Sequence, residues 1–259
     1  MSAPLDGRVA LVTGGGRGIG RAISISLGAR GAAVAVNYRR DEEAAAKTVA
    51  EIEAAGGRAR PYQAAVGAWE DDVAMVEAVT AELGPVDILI NNAGIASRGQ
   101  SVANTEPDEL ERVMRTHALG PHFLCKLVLP GMRTKPRGDI VMISSVATSM
   151  MSGYGAPYNM GKAALEALAL GLAKEEREHG IRVNIVAPGL VVTDMGDRLA
   201  KATMGVAKAT DLDAGAPFGR VCRPEDVAKV VEFLVSDDAF YLTAQRITVD
   251  GGGAPRGVG

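Results

Sequence analysis

Along the chain, short apolar runs alternate with longer stretches in which apolar residues recur at helical spacing. Val9-Ala10-Leu11-Val12 is the first run, and its lack of polar positions is that of a strand buried on both faces. Ala32 to Asn37, Val86 to Ile90, Asp139 to Ile143 and Arg182 to Val186 read the same way. Arg58 to Val66 and Gln245 to Val249 complete the expected strands. Helices are expected over Arg21 to Gly28, Asp41 to Ala55, Glu70 to Leu83 and Pro224 to Val235. A long one opens at Thr105-Glu106-Pro107, with proline near the first turn where its missing N–H is harmless, and runs to about Arg133. Another carries Tyr158, is dominated by alanine and leucine from Ala163 to Ala173, and continues to about Glu178. Met195 to Ala216 has no clean period and mixes Gly, Ala, Lys and Thr; it reads as a mobile substrate loop with short helices. No repeat or linker interrupts the alternation, so one α/β domain spanning 1–259 is expected.

Composition narrows the partners. A net charge of −3 supplies no basic surplus for neutralising phosphates, which argues against nucleic acid. Apolar residues make up 47% of the chain, enough for a large core, yet no apolar run approaches the ~20 residues of a membrane span. Met1 to Gly7 is short and polar, unlike a signal peptide. Cys125 and Cys222 lack metal-ligand spacing and read as free thiols of a reducing, cytoplasmic compartment; no metal site is expected.

Candidate chemistry gathers after the strands. Thr13-Gly14-Gly15-Gly16-Arg17-Gly18-Ile19-Gly20 joins the first strand to a helix. In that context glycines let the backbone approach a pyrophosphate, and the helix start offers free N–H groups and a positive dipole end. At the end of the second strand, where a carboxylate would read a free ribose 2′-hydroxyl, stand Asn37 and Tyr38, followed by Arg39 and Arg40. With Arg17 these guanidiniums would neutralise a 2′-phosphate; alternatively Arg39 and Arg40 solvate a loop and pair with Asp41 to Glu43. Asn91-Asn92-Ala93-Gly94 ends the fourth strand, a position that favours a cofactor contact over a plain turn. Ser145 ends the fifth. Tyr158 and Lys162, four apart on a helix, share a face. A neighbouring ammonium would lower the phenol from its usual ~10 and fit it for proton transfer near neutral pH.

Together and in order, the glycine turn, Asn91-Asn92-Ala93-Gly94, Ser145, Tyr158-x-x-x-Lys162 and Pro188-Gly189 resemble the short-chain dehydrogenase/reductase family. The likeness is greatest to its 3-oxoacyl-carrier-protein reductase-like subgroup and extends from Thr13 to Gly252. It implies a Rossmann-type sheet of seven parallel strands with helices on both faces, in a homotetramer. Tyr158 would be the general acid/base, Ser145 would hydrogen-bond the substrate oxygen, and Lys162 would tune the phenol and bind the nicotinamide ribose. Gly14, Arg17, Gly18, Ile19, Gly20, Tyr38, Arg39, Asn91, Ala93 and Gly94 would line the cofactor, and Pro188, Gly189, Val191 and Thr193 would hold its nicotinamide.

Three departures stand out. Ala65 replaces an aspartate that touches the adenine, and Ala244 replaces a glycine after Tyr241-Leu242-Thr243. His117 stands where the family has an asparagine whose backbone carbonyl, at a helix distortion, holds a water linked to the lysine. Histidine keeps the carbonyl. Its imidazole would either obstruct the relay and, titrating near ~6.5, steepen the acid side of the pH profile, or simply pack against neighbouring helices.

The expected function is an NADP(H)-dependent oxidoreductase interconverting a ketone, such as a 3-oxoacyl thioester, and a secondary alcohol. The competing expectation is a dinucleotide-binding regulatory or assembly protein with little turnover. Ala96 to Arg98, Val146 to Tyr154 and Met195 to Ala216 would grip the small-molecule substrate, without chemistry that names it. Lys135, Arg137 and Arg177 would either greet an acidic carrier or solvate helix ends.

Overall fold

A computed structural model describes residues 4–253; residues 1–3 of the polar N-terminal segment and 254–259 of the glycine-rich tail lie outside them. The strands are β1 Val9–Val12, β2 Ala33–Tyr38, β3 Arg58–Gln63, β4 Ile88–Asn91, β5 Gly138–Ile143, β6 Ile181–Pro188 and β7 Arg246–Val249. They form one parallel sheet in the order β3-β2-β1-β4-β5-β6-β7. β1 therefore lies between β2 and β4, where the order reverses and ligands bind in open sheets of this kind.

Alternate residues of each strand feed two separate cores. Ala10, Val12, Val34, Val36, Ile88 and Ile90 face helices α1 (Gly18–Ala29), α2 (Glu42–Ala54) and α9 (Pro224–Leu234), meeting Ile23, Leu27, Ile52, Val227 and Val231. Leu11, Ala35, Leu89, Ile140 and Met142 face α3 (Trp69–Glu82), α5 (Gly120–Met132) and α7 (Ala156–Glu176), meeting Val79, Leu124, Val128, Leu165 and Leu172. Each such Leu, Ile or Val contributes about 1.5–3 kcal/mol by leaving water. Between α3 and α5 lies α4 (Pro107–Met114), and α6 (Ala147–Met150) and α8 (Asp194–Met204) complete the set.

Four expectations need correction. β3 ends at Gln63 rather than Val66, because its partner β2 ends opposite at Tyr38 and the chain then turns through Gly67 at φ +93°. The long helix from Thr105 to Arg133 is two helices, α4 and α5, joined by a π-helical turn at Arg115–Leu119. Gly120, just past that turn, leaves room for the β3–α3 connection: a Cβ there would lie 2.5 Å from the Val66 side chain and 2.9 Å from the Gly67 nitrogen. The 195–216 segment is more regular than a loop. Thr193 caps α8 by accepting from the Gly196 N–H at 3.0 Å, and a 3₁₀ stretch at Ala209–Gly215 follows. Finally, Lys135 and Arg137 do not form an open greeting surface. Lys135 lies 3.8 Å from Asp87, and Arg137 pairs with Asp139 and Asp237 at the end of the sheet opposite the glycine turn. Asp139 also binds Arg8 and Arg182, which explains a carboxylate inside an otherwise apolar run.

The glycine turn is closely packed. A Cβ at Gly20 would stand 2.1 Å from the Gly14 carbonyl oxygen and 2.6 Å from the Asn92 amide, backbone and core that cannot retreat. Gly20→Ala is therefore expected to cost about 3 kcal/mol of stability, measured by urea unfolding; an unchanged midpoint would contradict this packing.

Candidate active site

The turn after β1 is braced from two sides. Asn37, buried at the end of β2, accepts the Gly14 N–H on its side-chain oxygen at 3.0 Å and the Gly15 N–H on its carbonyl at 2.9 Å. From β4, Asn92 donates its side-chain N–H to the Thr13 carbonyl at 2.8 Å, while Thr13 Oγ1 accepts the backbone N–H groups of Asn92 and Ala93, each at 2.9 Å. Gly14 and Gly18 take φ +60° and +52°, the left-handed conformation that glycine adopts without strain. α1 then starts with no side-chain cap on its first N–H groups, leaving Gly18, Ile19 and Gly20 to present them. Thr193 faces Gly18 across the cleft: its methyl lies 3.2 Å from where a Gly18 Cβ would be.

Beside this cradle the guanidiniums are exposed. Arg17 lies 3.7 Å from Asp194, both largely in solvent. Among the described residues neither Arg39 nor Arg40 is ion-paired, and Asp41 is engaged instead as the cap of α2, accepting the Ala44 N–H. Tyr38 packs its ring against the α1/α2/α9 core, which raises its phenol pKa. The residues present therefore fit a dinucleotide with an anionic group on its adenosine ribose.

Two sequence candidates turn inward. Asn91 is buried, its amide directed at the Met142 and Cys125 sulfurs, so its side chain is not offered to a cofactor. Val191 likewise buries its side chain in the core. Ala93, Gly94, Pro188 and Gly189 all lie at or just beyond strand ends β4 and β6, on the same side of the sheet as the cradle. Ala65, in the β3–α3 connection, has its backbone engaged locally: Asp71 accepts its N–H at 2.9 Å and its carbonyl accepts the Ala68 N–H at 2.9 Å. Ala244 keeps the left-handed backbone of the glycine it replaces, φ +58°, pinned by its N–H to the Val183 carbonyl.

β5 delivers Ser145, whose hydroxyl accepts the Ala147 N–H at 3.2 Å, and Pro157 in the first turn of α7 places Tyr158 close enough for that hydroxyl to act on the phenol. Burial pushes the phenol above its ordinary pKa, and the nearby Ser145 hydroxyl pulls it back only in part. The net shift is upward, against the lowering expected from the neighbouring lysine. Lys162 Nζ donates to the Ile143 carbonyl at 2.7 Å and stands 5.8 Å from the Tyr158 ring centre. Burial brings Lys162 itself down to about 7, with Glu166 opposing that shift.

His117 sits in the π-helical turn, so the helix does distort where the relay requires. Its ring packs edge-on against Tyr158, centres 5.2 Å apart, and Nε2 meets the Ile95 backbone, 2.8 Å from its carbonyl and 3.2 Å from its N–H, leaving buried Nδ1 without a partner. Gly94 and Gly161 make the space: a Cβ on either would come within 2.9 Å of the histidine. Burial and Lys162 push the imidazole down to about 3. It is neutral through the working range, so the expectation of a steeper acid limb carried by His117 is withdrawn.

Thr13 and Asn92, which stand within the motifs, and Asn37 serve as braces; Glu166 and Arg246 behind Ser145 are site residues outside the motifs. The doubled asparagine after β4 is a visible signal for Asn92; nothing local marks Arg246, which reaches the site from β7.

A family model described as Enoyl-(Acyl carrier protein) reductase matches residues 14–253. The chain belongs to the short-chain dehydrogenase/reductase family of oxidoreductases. It is 38% identical over 257 residues to versicolorin reductase stcU of Emericella nidulans, covering 96% of each. Against 3-oxoacyl-[acyl-carrier-protein] reductase FabG of Escherichia coli it is 36% identical over 247 residues, 95% of this chain and 97% of FabG. Among solved structures it is similar to angucycline C-6 ketoreductase LanV with bound NADP, at TM-score 0.86, 35% identity and 97% coverage of each. It is also similar to a 7α-hydroxysteroid dehydrogenase complexed with NADH and 7-oxo glycochenodeoxycholic acid, at TM-score 0.89, 31% identity, 98% of this chain and 96% of that one.

The buried imidazole makes a stability prediction. His117 binds a proton less readily folded, at about 3, than unfolded, near ~6.5. Stability therefore falls as pH drops through that window. Urea unfolding at pH 7 and pH 5 should show a smaller loss for His117→Asn than for the parent; equal losses would mean the ring is not held neutral.

Proposed function

We propose that the protein is an NADP(H)-dependent reductase converting a ketone to a secondary alcohol. The observation that carries this reading is the meeting of the Ser145 hydroxyl with the Tyr158 phenol, above buried Lys162, beside a glycine cradle at the switch point of the sheet. When bound, the dinucleotide supplies hydride to the carbonyl carbon. Ser145 donates a hydrogen bond to the carbonyl oxygen and holds it against the phenol. Burial keeps Tyr158 protonated, the form that gives a proton to the developing alkoxide. The Lys162 ammonium favours the phenolate left behind. His117 holds the face of the tyrosine ring as a positioning residue, with its backbone in the distorted turn.

Cofactor choice rests on charge. The two solved relatives carry different dinucleotides, NADP in one and NADH in the other, so the arginines of this chain decide. Exposed Arg17 and Arg39, with no carboxylate at the end of β2, favour a 2′-phosphate. The segments that would grip substrate expose Met150, Met151, Tyr154, Leu199 and Met204, which suits an apolar ketone. Homotetramer assembly and a cytoplasmic location are part of the same reading. Among the described residues no helix is long and apolar enough to cross a membrane. A binder without turnover would draw support only from His117 and Ala65, and neither disturbs the contact between Ser145 and Tyr158.

Tyr158→Phe should lower kcat on an apolar ketone about 10²–10⁴-fold while NADPH affinity stays close to the parent's. Retention of the parental rate would remove Tyr158 from the acid/base role. Arg39→Ala should weaken NADPH binding and leave NADH binding nearly unaltered, followed by fluorescence titration. Parental protein that binds NADH as tightly as NADPH would overturn the cofactor assignment.

A further inference from the structure

We propose that Arg246, on the edge strand β7, is a positioning residue for Ser145, acting together with Glu166 of α7. The proposal rests on the ketone-reductase reading and adds residues that its motifs do not contain. The Arg246 guanidinium reaches in three directions. Nε binds both Glu166 oxygens, at 3.0 and 3.2 Å; Nη2 donates to the Ser145 carbonyl at 3.2 Å and to Thr148 Oγ1 at 2.8 Å; Nη1 donates to Thr248 Oγ1 at 2.9 Å. Glu166 in turn accepts from the Ser144 hydroxyl at 2.5 Å and the Thr148 hydroxyl at 2.8 Å. One ion pair, three-quarters or more buried on each side, thus holds a hydroxyl and a carbonyl of two consecutive residues at the end of β5.

The consequence concerns aim. Ser145 lies on a loop leaving the sheet, and its hydroxyl must face Tyr158 within a fraction of an ångström for the substrate oxygen to sit between them. The strand fixes the residues before Ser145; beyond the local turn in which the Thr148 N–H reaches its carbonyl at 3.3 Å, that carbonyl is held by the Thr148 hydroxyl at 2.9 Å and by Arg246, which ties it to Glu166. A planar, forked cation suits the task, because a lysine would be a single point charge unable to span Glu166, Thr148 and Ser145 at once. Glu166 has a second effect. It lies one turn beyond Lys162 on the same face of α7 and is the carboxylate that supports the lysine's charge. The other groups around Lys162 are the Tyr158 phenol and the neutral His117 imidazole, and Arg246 stands behind Glu166.

The test compares Arg246→Lys and Glu166→Gln with the parent, and repeats Arg246→Lys in a Ser145→Ala background. Steady-state kinetics with NADPH and an apolar ketone are paired with a pH titration of Lys162 by side-chain ¹⁵N resonance, which needs no turnover. Arg246→Lys should lower kcat about 10–10²-fold with little change in KM for NADPH, and should cost less than about twofold once Ser145 is gone. Glu166→Gln should move the Lys162 titration and the alkaline limb of kcat down by about one pH unit. Loss of the positive charge would then begin earlier as pH rises. An active parent whose Arg246→Lys variant keeps kcat, or loses as much with alanine at 145, defeats the proposal alone. A Lys162 titration left in place by Glu166→Gln defeats it equally. A parent that reduces no ketone takes down the reductase reading and the proposal together. Should Arg246→Lys fail to fold, Glu166→Gln and its titration decide.

Discussion

A parallel sheet covered on both faces confines polar chemistry largely to the strand ends. Leu11 and Val12 point to opposite cores, as do Leu89 and Ile90, so neither face has room for a ligand. At one end the polar groups are spent on each other: Asp139 gathers Arg8, Arg137 and Arg182, and Asp87 accepts the Val9 N–H. The opposite end is left open around the glycine turn, Ser145 and Pro188. The site follows from that division: strand ends place the glycine turn, Ser145 and Pro188, and α7 and the π-helical turn bring Tyr158, Lys162 and His117 to them.

Within the open end, precision comes from buried polar braces. Asn37, Thr13 and Asn92 hold the glycine turn from its two neighbouring strands, and the Arg246–Glu166 pair holds Ser145 from the far side. Burial then sets the charge states. It keeps the Tyr158 phenol protonated, brings Lys162 to about 7 and holds His117 neutral, all in the direction desolvation dictates. The protonation of the phenol is thus set by the core around it more than by the lysine beside it.

Much of this could be read along the chain. β1 matched its four-residue run, and the core helices began within a few residues of their expected starts, because two-sided burial and amphipathic periods are local signals. The ordered motifs placed Ser145, Tyr158 and Lys162 together. What escaped depends on distance. The end of β3 is set by where β2 stops, and the π-helical turn by the Val66–Gly67 connection pressing against Gly120. Asn91 and Asn92 are adjacent and chemically identical; only the strand's pleat sends one to the core and the other to the glycine turn. The Lys162 ammonium shares a face with Tyr158, as its spacing requires, yet a strand-end carbonyl from Ile143 claims it.

The space around His117 bears on the order in which such a site can change. Gly161 leaves room for the histidine's Cβ, so any side chain at 117 leans on it, whereas Gly94 leaves room for the ring carbon Cε1 and is needed by imidazole in particular. A lineage can acquire this histidine only on a background where both glycines already stand. Once it is present, alanine at position 94 is barred until the ring is lost again. The choice of residue at 117 is thereby coupled to the absence of a side chain at 94.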